Sequence, residues 1–306
     1  VARDLLHRYS AFLRERLGAP ARKISIDAGF TCPNRDGRLG RGGCAWCRPE
    51  AFTPAAARRG LSVTEQIARG RPRGPGAEAV RLLAYFQPYT NTDAPPEALA
   101  ALWEEALAAP GVAGLVVGTR PDCVPDAVLE RLDGFAVRAY VQLELGLQTA
   151  SDATLRRMNR GHDAAAFDDA MRRAGGRGIV RSAHMIAGLP GETRQDALRT
   201  VDRIADAGAE TIKLHAFHLL EGTALAAEHA RRPLPLPGLD SYAALAADCL
   251  ERLPWRVAVE RVAASVPAEH LVGPAWCAEP GAGRRAVEAE LRRRGTRQGA
   301  RAPDVC

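Results

Sequence analysis

The feature that most limits how this chain can fold is a regular alternation, from Lys23 onward, of short apolar runs with longer amphipathic ones. Strand-length runs separated by helix-length segments are the pattern of parallel strands joined by crossover helices. Six strands are predicted: Lys23–Ala28, Val80–Gln87, Val112–Thr119, Arg138–Leu147, Ile179–Ala187 and Thr211–His218. Of the helices between them, Pro95–Ala109 opens on two prolines, which suit a first turn, and Thr193–Ala207 follows Gly191. Right-handed crossovers wrap six such units into an open barrel, whereas a closed eightfold barrel would need two more strands. Only Val257–Val262 offers another. The expected fold class is therefore α/β, a partial (β/α)6 TIM-type barrel with a short C-terminal extension. Its expected organisation is an N-terminal helical segment over 1–22, the barrel over 23–235, a helix-and-strand extension over 236–280 and an arginine-rich tail over 281–306.

Composition excludes several classes. Hydrophobic residues at 46% and charged residues at 25% are near globular averages, which argues against wholesale disorder and fibrous repeats. The longest apolar runs fall short of the ~20 residues of a helical membrane span. Arg3, Asp4, His7 and Arg8 interrupt any apolar signal-peptide core, so a cytoplasmic chain is expected, with no membrane partner. The net charge of +6 favours an anionic partner, but its excess lies in Arg58–Arg73 and Arg284–Arg301, where no aromatics interleave. A solvated arginine-rich surface explains that as readily as RNA binding.

Seven cysteines are unevenly spread: Cys32, Cys44 and Cys47 crowd together, while Cys123, Cys249, Cys277 and Cys306 are scattered. An odd, clustered count does not suit a secreted disulfide framework. Three neighbouring thiols in a reducing compartment suit a metal or redox role, and Gly40, Gly42 and Gly43 would let the backbone curl round a bulky inorganic group. A closed structural zinc site needs a fourth N/S ligand. None is at hand, because no histidine lies between His7 and His162 and Cys123 belongs to another loop. An iron-sulfur cluster held by three thiolates would keep one iron open. Both metals stand at this point.

The remaining polar residues concentrate where strands end, the face on which parallel barrels carry catalysis. They include Gln87 to Asp93, Thr119 to Asp122, Glu144 and Gln148, His184, and Lys213, His215 and His218. Lys213 on a strand could form a Schiff base, as in an aldolase, or serve as an ordinary ion-pair partner. No P-loop, nucleophile elbow or dinucleotide-binding glycine fingerprint occurs in the sequence.

Several segments resemble one family. Asp27 to Gly37, with Cys32-Pro33-Asn34-Arg35-Asp36-Gly37, followed by Gly42-Gly43-Cys44-Ala45-Trp46-Cys47, is similar to the YhcC-type radical S-adenosylmethionine (SAM) proteins. These are akin to the elongator-catalytic-subunit and MiaB-like branch of radical SAM enzymes. Tyr85 to Thr92, Thr119 to Cys123, Glu144 to Gln148, Asn159 to His162, Gly188 to Glu192 and Lys213-Leu214-His215 extend the resemblance, which runs from about Tyr9 to Gln298. It implies a [4Fe-4S] cluster on Cys32, Cys44 and Cys47, with SAM on the remaining iron. Reductive cleavage of SAM would give a 5′-deoxyadenosyl radical that abstracts hydrogen from a substrate, using a reductant such as flavodoxin or ferredoxin. By comparison with the similar oxygen-independent coproporphyrinogen oxidases, Gln148 and His184 would meet the ribose and Arg160 the methionine carboxylate. Thr119 would lie near the methionine amino group, and Trp46 beside the adenine.

The resemblance has two departures. Eleven residues separate the first two cysteines where the commonest signature has three, and strand two ends in Gln87-Pro88-Tyr89-Thr90 instead of Gly-Gly-Glu. The substrate is unknown, since the mouth residues suit RNA, peptides and small molecules alike. The competing reading is a non-enzymatic zinc-binding, RNA-associated protein.

Overall fold

A computed structural model describes residues 4–303. In chain order its helices are α1 (Tyr9–Leu17), α2 (Pro33–Asp36), α3 (Val63–Gly70), α4 (Pro96–Ala108), α5 (Asp126–Ala136), α6 (Asp152–Arg157), α7 (Ala164–Ala174), α8 (Arg194–Asp206), α9 (Ala224–Arg231), α10 (Leu239–Arg252) and α11 (Ala282–Arg293). Its strands are β1 (Ala21–Ile26), β2 (Arg81–Phe86), β3 (Val112–Thr119), β4 (Tyr140–Gln148), β5 (Val180–Ala187), β6 (Thr211–Ala216), β7 (Leu219–Leu220), β8 (Ala258–Arg261) and β9 (Leu271–Gly273). Strands β1 to β6 and then β8 form one seven-stranded sheet, in sequence order and parallel throughout. This is the half-barrel expected, with Val257–Val262 supplying the seventh strand. Strands β7 and β9 form a separate antiparallel pair.

Period two along each strand divides the side chains between two environments. On the outer face Ile24, Ile26, Leu82, Phe86, Leu115, Leu143, Met185 and Leu214 meet helical Leu99, Trp103, Leu132, Phe167 and Ile204 in the main apolar core. Each such burial stabilises the fold by roughly 1.5–3 kcal/mol. On the inner face Leu83, Val116, Val180 and Ala258 receive Tyr9, Phe12 and Leu13 of α1. The first helix thus plugs the end of the barrel where the strands begin, and leaves the end where they finish free for chemistry.

An open sheet has two edges that need cover. Here β8 is flanked by the N-terminal segment, with Val259 N donating to His7 O at 2.7 Å. Lys23 on β1 reaches Glu260 on β8 at 2.6 Å, tying the two edges together across the seam.

The arginine-rich stretch 281–306 departs from the expected tail. Its Ala282–Arg293 segment is a helix with Val287 and Leu291, four apart, buried against the core. The arginines occupy the other face and pair with Glu288 and Glu290. Cys306 lies outside the described residues.

Candidate functional site

The three cysteines sit on the connection that leaves β1. Cys32 caps the short α2, accepting at its carbonyl from Arg35 N, and the chain then turns back so that Gly43 N donates to Asn34 O at 2.9 Å. Gly43 lies at φ 83°, and a Cβ there would press on the Arg35 guanidinium. Cys44 and Cys47 close a turn, Cys47 N donating to Cys44 O at 2.9 Å, and Arg35 Nη2 donates to Cys47 O at 2.8 Å.

A second strand-end connection braces this loop. Asn34 Nδ2 donates to Asn159 O at 2.5 Å, and Asn159, itself at φ 51°, donates back to Gly43 O at 2.9 Å. Ala45 N donates to Met158 O at 2.9 Å. These crossed amides fix the cysteine loop against the segment that delivers Arg160.

Arg160 is the hinge of the site. Its Nη1 points at the Cys44 sulfur at 3.5 Å, its Nη2 donates to Gly146 O at 2.7 Å, and its buried Nε has no partner. Arg120 donates to Arg160 O at 2.8 Å and is itself held by a two-pronged pair to Asp122 at 2.9 and 2.8 Å. Gln148 is brought to the same spot by a local irregularity. The β4–β5 register shifts between Gly146 and Gln148, and Gln148 adopts φ 75°. A bulge re-aims a side chain in this way next to active sites. Gly146 leaves room for both side chains, because a Cβ there would fall 2.6 Å from Gln148 Nε2 and 2.7 Å from Arg160 Nη2 and displace their ends.

His184 is the cross-strand neighbour of Gly146, and its Nε2 lies 3.0 Å from Glu144 Oε2. Thr119 is buried with its hydroxyl 2.6 Å from that of Thr92. Trp46 stands apart, packed on the apolar wall of Met158, Ile186, Leu189 and Phe217. Cys44, Arg160, Gln148 and His184 therefore share one end of the barrel, Thr119 lies on its β3 side, and Trp46 on its β5–β6 side. Sequence reasoning missed Asn34, Asn159 and Arg120 as braces. The signal available was the pair of polar turns, Cys32-Pro33-Asn34 and Asn159-Arg160-Gly161, whose interlock only the fold brings about.

Glu144 and Lys213 lie deeper than expected. Lys213 Nζ is within 3.0 Å of Glu144 Oε2, Glu260 Oε1 and the Tyr85 hydroxyl. It is buried with its three donors engaged, the arrangement of an ion-pair partner. Gln87, at the end of β2, donates to Ser25 Oγ at 2.8 Å.

Four histidines of this end titrate below the ordinary imidazole range. Burial and then Arg160 lower His162 to about 4. Burial lowers His184, followed by Lys213, and lowers His215 well below the usual value, followed by His184; burial also lowers His218. In the unfolded chain each returns to about 6.5 and binds a proton there that the native state refuses. Their contribution to stability is fully present above that value and is lost as pH falls below it toward the folded values, each by about 1.4 kcal/mol per pH unit while only the unfolded form is protonated. The thermal midpoint of the apoprotein is therefore expected to fall between pH 7 and about 5. Differential scanning calorimetry across that range checks it, and a flat midpoint would refute the assignment.

The donor set fits an iron-sulfur cluster better than zinc. Among the described residues no three His, Cys, Asp or Glu side chains converge closely enough to hold a single ion. A tetrahedral zinc gathers its ligands within about 2.3 Å of one point, whereas each thiolate of a cluster binds its own iron. Burial and the neighbouring Cys44 push the Cys47 thiol up to about 12. A bound metal centre of either kind would favour its thiolate.

A family profile described as the radical SAM superfamily matches residues 39–204, and one described as the radical SAM C-terminal domain matches 209–293. The chain belongs to the radical SAM superfamily. Within that superfamily it is 39% identical over 274 residues to protein YhcC of Escherichia coli K12, covering 89% of this chain and 88% of that one. It is 35% identical over 295 residues to YtqA of Bacillus subtilis, covering 96% and 91%. It therefore falls in the YhcC family. The structure of archaeal Methanocaldococcus infernus Elp3 superposes with a TM-score of 0.64 at 16% identity, covering 91% of this chain and 64% of that one, which shows the shared fold. As a radical SAM protein the chain takes a [4Fe-4S] cluster and S-adenosylmethionine, and the zinc-protein reading falls. Radical SAM enzymes also require a reductant. No helix among the described residues is long and apolar enough to cross a membrane.

Proposed function

We propose that Cys32, Cys44 and Cys47 hold three irons of the [4Fe-4S] cluster and leave the fourth to S-adenosylmethionine. Arg160 is the group we assign to the methionine carboxylate. What carries this reading is its guanidinium, aimed at the Cys44 sulfur with Nε buried and unpartnered, because a planar cation beside the cluster suits a carboxylate. Gln148 and His184, on either side of Gly146, are assigned to the ribose, Thr119 to the methionine amino group and Trp46 to the adenine face. Bound there and reduced, the cluster would supply the electron for reductive cleavage of the sulfonium, giving methionine and the 5′-deoxyadenosyl group that would take a hydrogen atom from the substrate. The chain's own part is to orient SAM through Arg160, Gln148 and His184 and to keep water out with the apolar wall that carries Trp46. A one-electron donor such as flavodoxin or ferredoxin and a cytoplasmic setting accord with thiolates that must stay reduced.

Anaerobic reconstitution is expected to give a brown protein with about four irons and four sulfides per chain. With dithionite and SAM it is expected to form 5′-deoxyadenosine and methionine. Stoichiometric zinc without sulfide, or intact SAM after reduction, would overturn the proposal.

A further inference from the structure

Glu144 is the most heavily solicited carboxylate in the molecule's interior, with its side chain at 0% exposure. Oε1 accepts from Lys23 Nζ at 2.5 Å and from Gln142 Nε2 at 3.0 Å. Oε2 accepts from Lys213 Nζ at 2.6 Å and faces His184 Nε2 at 3.0 Å. Burial alone would raise the carboxyl, but Lys213 and Lys23 outweigh it and hold Glu144 well below the usual range. An ionised carboxylate only accepts, so the nitrogen facing it carries the hydrogen.

The other groups around His184 are Lys213, Glu260 and the ring of His215, whose centroid is 5.5 Å away. Burial and Lys213 lower the His184 imidazole, which keeps it neutral near pH 7. A neutral ring with hydrogen on Nε2 has a bare Nδ1. His184 is 19% exposed and adjoins Gly146, over which Gln148 and Arg160 meet.

We propose that Glu144 is a positioning residue that locks His184 in its Nε2–H tautomer, so that Nδ1 offers a hydrogen-bond acceptor to a ribose hydroxyl of S-adenosylmethionine. The ribose part rests on the function proposed above; the tautomer does not. The ion cluster beneath the mouth thereby acquires a role beyond joining β1 to β8. A histidine held by a carboxylate on one nitrogen and poised for a ligand on the other is a recurrent way to fix ring orientation.

The test begins with ¹⁵N-labelled apoprotein, in which long-range imidazole correlations report which nitrogen is protonated, and His184→Asn assigns the signal. Hydrogen on Nε2 and a bare Nδ1, unchanged between about pH 7 and 8, is expected. Hydrogen on Nδ1, a mixture of tautomers, or a cation at neutral pH would overturn the lock. Glu144→Gln, whose amide can donate as well as accept, is expected to release the ring to a mixture. Should that variant not fold, the wild-type spectrum still decides.

In reconstituted wild-type protein, removing the 2′- or the 3′-hydroxyl of SAM is expected to weaken binding about tenfold, a hydrogen bond's worth, and the same deletion is expected to cost nothing in His184→Phe, whose ring has no acceptor. Equal binding of both deoxy analogues to the wild type would overturn the hydroxyl contact. Failure of SAM to bind at all would overturn the proposed function and leave the tautomer standing.

Discussion

Cys44→Ala is expected to abolish both the cluster and SAM cleavage, with reconstituted protein colourless and 5′-deoxyadenosine below detection. Two thiolates cannot hold the three irons that the proposed assignment gives to this loop. Cys44 is also the cysteine the fold has invested in most: it is buried, with Asn34 Nδ2 3.8 Å and Arg160 Nη1 3.5 Å from its sulfur. Cys123→Ala is the matched control. Burial and Asp122 push that thiol up to about 12, and it hangs on the connection after β3, outside the cysteine loop. It should retain cluster and cleavage. Iron and sulfide assay with visible absorbance reads the cluster, and chromatography of the nucleoside products reads the cleavage. A Cys44→Ala protein that still cleaved SAM would remove the cluster assignment, and loss of the cluster in Cys123→Ala would mean a fourth thiolate.

How far the sequence alone reached follows from which interactions are local. Strand β3 runs from Val112 to Thr119 as expected, since an unbroken apolar run bounded by Gly111 and Arg120 marks its own ends. Strand β1 starts and stops two residues earlier than the expected Lys23–Ala28. The Asp27 carboxylate accepts from Gly29 N at 2.9 Å, and this side-chain turn draws Asp27 and Ala28 out of the ladder. The tail became a helix because overall arginine content hid the spacing of Val287 and Leu291.

The turns of the cysteine segment follow from residues close together in sequence, Cys32 with Arg35 and Cys44 with Cys47. The height of a side chain inside the barrel does not. Period two puts Glu144 and Lys213 on the inner face, but the parallel register decides their level, and it pairs Glu144 with Ser182 and Lys213 with His184. They therefore sit beneath the mouth, facing Lys23 and Glu260 from strands far away in sequence. Only the curled sheet, which brings its two edges near each other, reveals that these four charges are partners. The same holds for Gln148, whose positive φ is set by the bulge after Gly146 and has no signature in its neighbours.

That four-charge layer gives the second large effect, in stability. Lys213→Met removes one cation and leaves Glu144, sealed from water, and Glu260, mostly buried, to share Lys23. Breaking a buried pair from one side costs about 3–5 kcal/mol, because the remaining charge keeps its desolvation penalty and loses its compensation. For a domain of this length that corresponds to a fall of roughly 5–8 °C in the thermal midpoint. Methionine matches the lysine stem in volume, so little of the loss is cavity. Adding Glu260→Gln should restore part of it, since the surplus negative charge then disappears while the shape at the seam is kept. The double-mutant cycle, measured by calorimetry on apoprotein at pH 7 to keep the histidines neutral, separates this account from a packing one. Under the electrostatic account Glu260→Gln costs less in the Lys213→Met background than in the wild type. If the two losses simply added, the charged layer would not be acting as a unit across the seam.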